Sequence, residues 1–448
     1  MAFLLAGPER MRRLRAMSFL PRALFSLLVL TTVASAQLAV LDPPRAWKTA
    51  EGQSFQASLQ NFDGTTAFFR MPDRRVAQLP AAKLSPEDQQ YLAEWQKRQP
   101  IKFVLPEFAG VDSAKIKPEV VSEDAAAEKF VYRTAHFEFE SQGKFSPSLL
   151  REVARDFEAT YELLKALPWN IDPKPPSGNY FRARLLKDRN AYLEAGGVAN
   201  SSGIYRAQTE TFLVPFESIG VKTLGKGFAK GDYDSGTMVH ELTHQMMHFW
   251  LEFLPQWMVE GTAEYTSNLP LQNGRFKPAA AKGGLKDYIE FLKKRTVGGV
   301  PEPYPLEKLF GITNEQWSET LAQSPASSHR LYFTSYLLVY YFMHLDGKGD
   351  GQRIMRYFRE VQAQRKEMED FRKAMGEFFK MPGVKLNADG SYTYPRDLPH
   401  PKKPESIATS EGRAAFQKKT LAILLDGRSE DELMKSIRSA YRGLAIKL

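Results

Sequence analysis

The sequence predicts an α+β protein, a small β module followed by a larger domain in which a mixed sheet meets a set of helices. Three observations predict it. Residues 43–98 carry short alternating runs separated by turn residues. Residues 129–383 open with strand-like segments and continue into long stretches of helical period. Within that second region, His240-Glu241-Leu242-Thr243-His244 lies against an apolar stripe of Val239, Leu242, Met246 and Phe249.

At 448 residues the chain is longer than one typical domain, and its 43% hydrophobic share suits a large core. The net charge is +9, of which the first 36 residues supply +4 through Arg10, Arg12, Arg13, Arg15 and Arg22 against Glu9. No basic stripe interleaved with aromatics stands out, which argues against nucleic acid as a partner. Residues 1–36 read as a signal peptide. Its positive region is followed by an apolar stretch over 23–33 and the small-residue site Ala34-Ser35-Ala36. The mature chain is expected to begin at Gln37, and Met11 or Met17 is a reasonable start of the signal. The apolar stretch is shorter than the ~20 residues a membrane span needs, so no transmembrane segment is expected after cleavage. A periplasmic or secreted bacterial protein follows. With no cysteine, its fold must hold by packing alone.

In the β module, Trp47-Lys48, Phe55-Gln56-Ala57, Thr66-Ala67-Phe68-Phe69 and Val76-Ala77-Gln78-Leu79 read as strands. Asp63-Gly64 and Pro72-Asp73 supply turns. Ser85 then caps a helix with Pro86 in its first turn. Residues 99–128 lack periodicity and read as a linker. Beyond it, His136-Phe137-Glu138-Phe139-Glu140 alternates like a strand, and Ser146-Pro147 starts a helix with Leu149, Leu150, Val153, Phe157, Tyr161 and Leu164 on one face. A second strand is expected over 181–186 and a hairpin from 203–207 and 211–216. Gly203-Ile204-Tyr205-Arg206 is the candidate edge for backbone pairing with an extended peptide. The glycine-rich stretch 220–236 reads as a loop, with Asp234 or Ser235 capping the next helix. Helical period returns over 285–292, 335–344 and 352–379. Residues 384–448 read as an irregular segment and two charged surface helices.

The chemistry concentrates at 240–264. Residues four apart on an α-helix share a face, so His240 and His244 can reach one ion. Glu241 lies beside them and can act as the general base on a water held there. A catalytic zinc commonly takes three protein ligands and leaves one position open. Glu260 is the candidate third ligand, just beyond Pro255, and Gly261 would let its helix approach a neighbour closely. Glu264 is one turn further on and suits a carboxylate that receives a ligand histidine's N–H. His248 is one turn past His244, and a packed or solvated histidine is the simpler reading there.

Residues 237–265 resemble the gluzincin zinc metallopeptidases of the thermolysin and aminopeptidase N type, closest to the bacterial peptidase MA-like group. The matching residues are His240-Glu241-x-x-His244 and Trp257-x-x-Glu260-Gly261-x-Ala263-Glu264-Tyr265. The resemblance implies a zincin-like catalytic domain with Zn2+ as cofactor, Glu260 as its third ligand and a peptide or protein substrate. The metzincin pattern fails, because Met247 stands where it needs Gly and Trp250 where it needs His. The family stabilises the substrate oxyanion with a Tyr or His from a downstream helix. Tyr332 is the candidate for that role and Tyr336 the second choice. Arg45-Ala46-Trp47 and Leu84-Ser85-Pro86-Glu87-Asp88-Gln89-Gln90-Tyr91-Leu92 resemble the ends of an SH3-like adaptor homology domain, which implies a small β-barrel over 43–98 that binds or positions a protein or cell-envelope ligand.

The reading is an exported zinc metallopeptidase with a non-catalytic β module. The alternative is a catalytically inactive zincin-fold binding protein at the cell envelope, and a non-peptide amide substrate is a third case.

Overall fold

The structure, a computed structural model, describes residues 44–62, 65–73, 75–98, 103–199, 201–225, 227–295 and 299–448. The expected signal peptide and the Asp63-Gly64 turn lie outside them. The chain divides into two compact units after Gln99.

In the first unit, β1 (Arg45–Lys48), β2 (Ser54–Phe62), β3 (Thr66–Arg70) and β4 (Val76–Pro80) form an antiparallel meander, followed by α1 (Pro86–Arg98). The SH3-like β-barrel expected from the sequence is not there. The sheet runs β1-β2-β3-β4 and stays open among the described residues, with one isolated bridge from Thr49 to Leu84. Four short strands do not supply the strand number and stagger that closure requires. Instead, Leu84 and the α1 residues Leu92 and Trp95 complete a core with Trp47, Leu59 and Phe69. The two motif ends do meet. The Arg45 guanidinium lies over the Trp47 and Tyr91 rings at 4.5 and 4.0 Å and bonds Asp88 at 2.8 Å.

The second unit is built on a six-stranded mixed sheet. In chain order its parts are β5 (Ala109–Gly110), β6 (Glu119–Asp124), β7 (Lys129–Arg133), β8 (Phe137–Ser141), α2 (Pro147–Ala166), β9 (Phe181–Leu186), α3 (Arg189–Glu194), β10 (Ile204–Arg206) and β11 (Thr211–Pro215). The sheet order is β10-β11-β9-β8-β7-β6, with β8, β9 and β11 parallel and the others antiparallel. Residues 203–206 thus lie at a sheet edge, as the sequence suggested. The stretch 99–128 is more than a linker. β6 forms the opposite edge and Ile116 is buried in the core. Every residue of β6 is exposed, so no alternation marks it in the sequence.

The glycine-rich stretch folds as a hairpin, β12 (Val221–Leu224) and β13 (Gly227–Lys230), rather than a plain loop. Next come α4 (Gly236–Met246) and α5 (Gln256–Ser267). The short strands β14 (Leu271–Gln272) and β15 (Arg275–Phe276) then form a hairpin whose second strand pairs with β5. The helices α6 (Ala281–Arg295), α7 (Leu306–Phe310), α8 (Asn314–Gln323), α9 (Pro325–His344) and α10 (Gln352–Phe378) follow. α9 starts well before the expected 335, because Ser324 caps it and Pro325 occupies its first turn. The segment after α10 holds the small hairpin β16 (Lys385–Leu386) and β17 (Tyr392–Thr393), then α11 (Glu405–Ala408), α12 (Ser410–Leu425) and α13 (Glu430–Gly443).

The last two helices are not mere surface helices. Phe416 and Leu424 of α12 and Leu433, Ile437 and Tyr441 of α13 are buried in the main core. On α13 those residues recur every four positions, which makes a narrow apolar stripe on an otherwise charged helix. Tyr441 donates its hydroxyl to the Leu337 carbonyl of α9 at 2.8 Å.

Candidate metal centre

α4 is fixed before its histidines can be useful. Asp234, rather than Ser235, supplies the cap, accepting the Gly236 N–H at 2.9 Å. Val239, Leu242 and Met246 are buried against the core, while Phe249 lies past the helix end and is half-buried. Gln245 donates to the Arg182 carbonyl of β9 at 2.8 Å, and Thr243 shares a 2.7 Å hydroxyl contact with Thr266 of α5. These ties leave His240, Glu241 and His244 on the helix face directed away from the core.

α5 begins directly after Pro255 and carries Glu260 toward α4. Gly261 is required by its other neighbour. A Cβ there would stand 2.5 Å from the Ser335 carbonyl oxygen and 2.8 Å from Val339 Cγ2, so only glycine lets α5 cross α9 this closely.

The three candidate ligands converge. His240 Nε2 lies 3.1 Å from His244 Nε2 and 3.2 Å from Glu260 Oε2, and His244 Nε2 lies 3.5 Å from Glu260 Oε2. Bonds of about 2.0–2.1 Å at tetrahedral angles would separate ligand atoms by roughly 3.3–3.4 Å. The observed spacings match that requirement. Two imidazoles and one carboxylate also suit zinc chemically, with a fourth position left for water or substrate. The side chains of His240, His244 and Glu260 are 14%, 14% and 10% exposed, so the site is sunk yet reachable.

Surrounding groups orient each member. Glu264 Oε1 lies 3.3 Å from His240 Nδ1, so His240 is the histidine it holds. Gln256 donates to Glu260 Oε1 at 2.8 Å, which leaves Oε2 for the cluster. Asn268 approaches Glu264 at 3.4 Å, and Tyr288 hydrogen-bonds it from α6. Glu241 accepts the backbone N–H of Tyr205, on β10, at 2.8 Å. The Tyr332 ring lies 6.2 Å from the His240 ring, and its hydroxyl has no hydrogen-bond partner among the described residues. Tyr336 is sealed in the core and packs edge-on against Tyr288 at 4.9 Å. His248 lies outside the cluster, where its Nδ1 contacts the Tyr205 hydroxyl at 2.7 Å.

Burial and charge act on these groups in opposite senses. Burial pushes the Glu241 carboxyl above its ordinary value, and the nearby histidines only partly offset this. Burial would raise Glu260 too, but His244 and the hydrogen bonds from both histidines hold it well below the usual carboxylate range. Burial would lower His240, but Glu260 and Glu264 on its two nitrogens raise it well above an ordinary imidazole. Acidic groups crowded in this way favour positive charge at the centre, whether a proton or a divalent cation.

The fold and site together define an α+β protein with a largely buried His/His/Glu cluster able to hold a metal ion. Comparison with known proteins adds no name: no family model, no curated protein and no solved structure matches the chain. A cavity of about 540 Å³, lined among others by Lys115, His136 and Glu158, shares no residue with the cluster.

Sequence reasoning missed four contributors. Gln256 and Asn268 stand four residues from Glu260 and Glu264, a spacing that could have exposed them. Tyr288 and the Tyr205 amide arrive from distant elements, and no local pattern announces them.

Proposed function

We propose that the chain is a zinc-dependent peptidase of the gluzincin type, exported by the signal segment read at residues 1–36. The carrying observation is the convergence of His240, His244 and Glu260 at tetrahedral ligand spacings, with Glu241 beside them. Bound there, zinc would supply Lewis acidity to a substrate carbonyl and to water.

The chain's own residues do the rest. Glu241 takes a proton from the attacking water and returns it to the leaving amine, and its burial-raised pKa suits both transfers. Tyr205 N–H holds one Glu241 oxygen, leaving the other as proton acceptor. The Tyr332 hydroxyl donates to the oxyanion that develops on the carbonyl, and burial keeps that hydroxyl protonated. An extended substrate pairs with the free edge of β10. Among the described residues no helix is long and apolar enough to cross a membrane.

The test is metal analysis paired with digestion of a peptide library, wild type against Glu241→Gln. We expect one zinc per chain in both proteins and cleavage only by the wild type, abolished by a chelator. Absence of bound metal overturns the proposal. Equal zinc content with no cleavage by either protein replaces it with a binding role.

A further inference from the structure

Tyr205 of β10 makes two contacts with the zinc-motif segment, one with α4 and one with the turn after it. Its backbone N–H donates to Glu241 Oε2 at 2.8 Å. Its hydroxyl lies 2.7 Å from Nδ1 of His248, in the turn that follows α4. The register explains why that amide is free to do this. Tyr205 faces Phe212 across the antiparallel β10–β11 pair, flanked by Ile204–Leu213 and Arg206–Thr211. In such a ladder, alternate residues direct their N–H and C=O groups away from the partner strand. Its bond to Glu241 puts the Tyr205 amide in the set that points away from β11, on the free edge of the sheet.

The strand itself is held in place. A Cβ on Gly203 would stand 2.9 Å from Phe212 Cε2, so glycine lets the chain enter β10 flat against β11. The Arg206 guanidinium bonds the Gly196 carbonyl, and Arg189 bonds the carbonyls of Ala199 and Ser201 in the preceding loop. The Tyr205 ring is buried, which fixes the line from β10 to His248.

We propose that Tyr205 is a positioning residue for Glu241, a clamp in which the phenol anchors the strand to His248 and the amide sets the carboxylate's orientation. This rests on the reading of Glu241 as general base. Because the clamped amide lies on the edge proposed to receive substrate, an incoming strand meets the Tyr205 carbonyl while the Tyr205 N–H stays with Glu241. Substrate register and base orientation are thereby set by one residue.

The test uses Tyr205→Phe, His248→Leu and His248→Asn, the last placing a carboxamide oxygen near the original acceptor. We expect Tyr205→Phe and His248→Leu to lower kcat on the order of tenfold with KM and zinc content unchanged. We expect His248→Asn to recover most of the loss. A second arm needs no turnover: hydrogen exchange of the Tyr205 amide, followed with and without metal. Its protection should fall in Glu241→Ala and in Tyr205→Phe. Wild-type kcat in Tyr205→Phe, or amide protection that survives Glu241→Ala, overturns the clamp. If the wild type cleaves nothing, the peptidase reading fails, and the exchange arm still decides whether the clamp exists.

Discussion

His240 Nδ1 lies 3.3 Å from Glu264 Oε1, on the side of the ring opposite the nitrogen that faces Glu260. The contact fixes ring orientation and directs Nε2 to the cluster. Replacing Glu264 with Ala should weaken zinc affinity by roughly 10–100-fold. Tyr288→Phe, which removes a donor to Glu264, should act in the same direction more weakly. Competition with a chromophoric chelator measures both, and an unchanged dissociation constant in Glu264→Ala would show that the carboxylate does not serve the metal.

Tyr332 and Tyr336 should separate cleanly. The Tyr332 ring lies 6.2 Å from that of His240 and its hydroxyl has no hydrogen-bond partner among the described residues, whereas Tyr336 is enclosed by core residues. Tyr332→Phe should lower kcat by about 10²–10³-fold, the usual loss for one oxyanion donor, with zinc content preserved. Tyr336→Phe should leave kcat close to wild type. The reverse outcome in steady-state kinetics would reassign the role.

Gly261→Ala should force α5 and α9 apart, because its new Cβ meets the Ser335 carbonyl at 2.5 Å, and backbone cannot rotate away. Overpacking of this kind costs about 1–3 kcal/mol. Urea denaturation of the variant should show that loss, and an unaltered midpoint would mean the crossing is looser than described.

Acid should destabilise the second unit through His344. Burial lowers this imidazole from 6.5 to about 4, while its Nε2 lies 2.9 Å from the Tyr265 hydroxyl. The folded pKa is depressed, so the contribution is fully present above the unfolded value and is lost as pH falls from 6.5 through about 4. Over that window the loss amounts to roughly 3 kcal/mol. Urea midpoints at pH 7 and pH 4.5 should diverge less in His344→Gln than in wild type. Equal divergence would place the acid sensitivity elsewhere.

Much of this site was legible because its chemistry is local. His240, Glu241 and His244 are set by helical spacing alone, and Pro255, Glu260 and Gly261 follow within one connection. Strand β8 announced itself because it buries one face of a strict alternation, and helix α2 because its large apolar residues recur at helical period, although Asp156, Glu158 and Thr160 are buried with them. What stayed hidden depends on contacts between distant segments. β6 is exposed on both faces, so its alternation is absent although its backbone pairs with β7. In the first unit the sequence suggested a barrel where the sheet stays open, because the cluster of Arg45, Trp47, Tyr91 and Asp88 joins the two ends of the segment without saying how the strands between them close. No spacing rule could connect Tyr205 with Glu241, since only the sheet edge brings them together.

The Tyr441–Leu337 hydrogen bond gives the chain's order of synthesis a meaning. The histidines and Glu260 leave the ribosome nearly two hundred residues before the segment that braces the helix presenting Tyr332. A nascent chain can bring His240, His244 and Glu260 together while that helix still lacks the support of α13. Full support of α9 is thereby deferred until α13 has emerged, and removal of α13 should return the protein to the same immature condition.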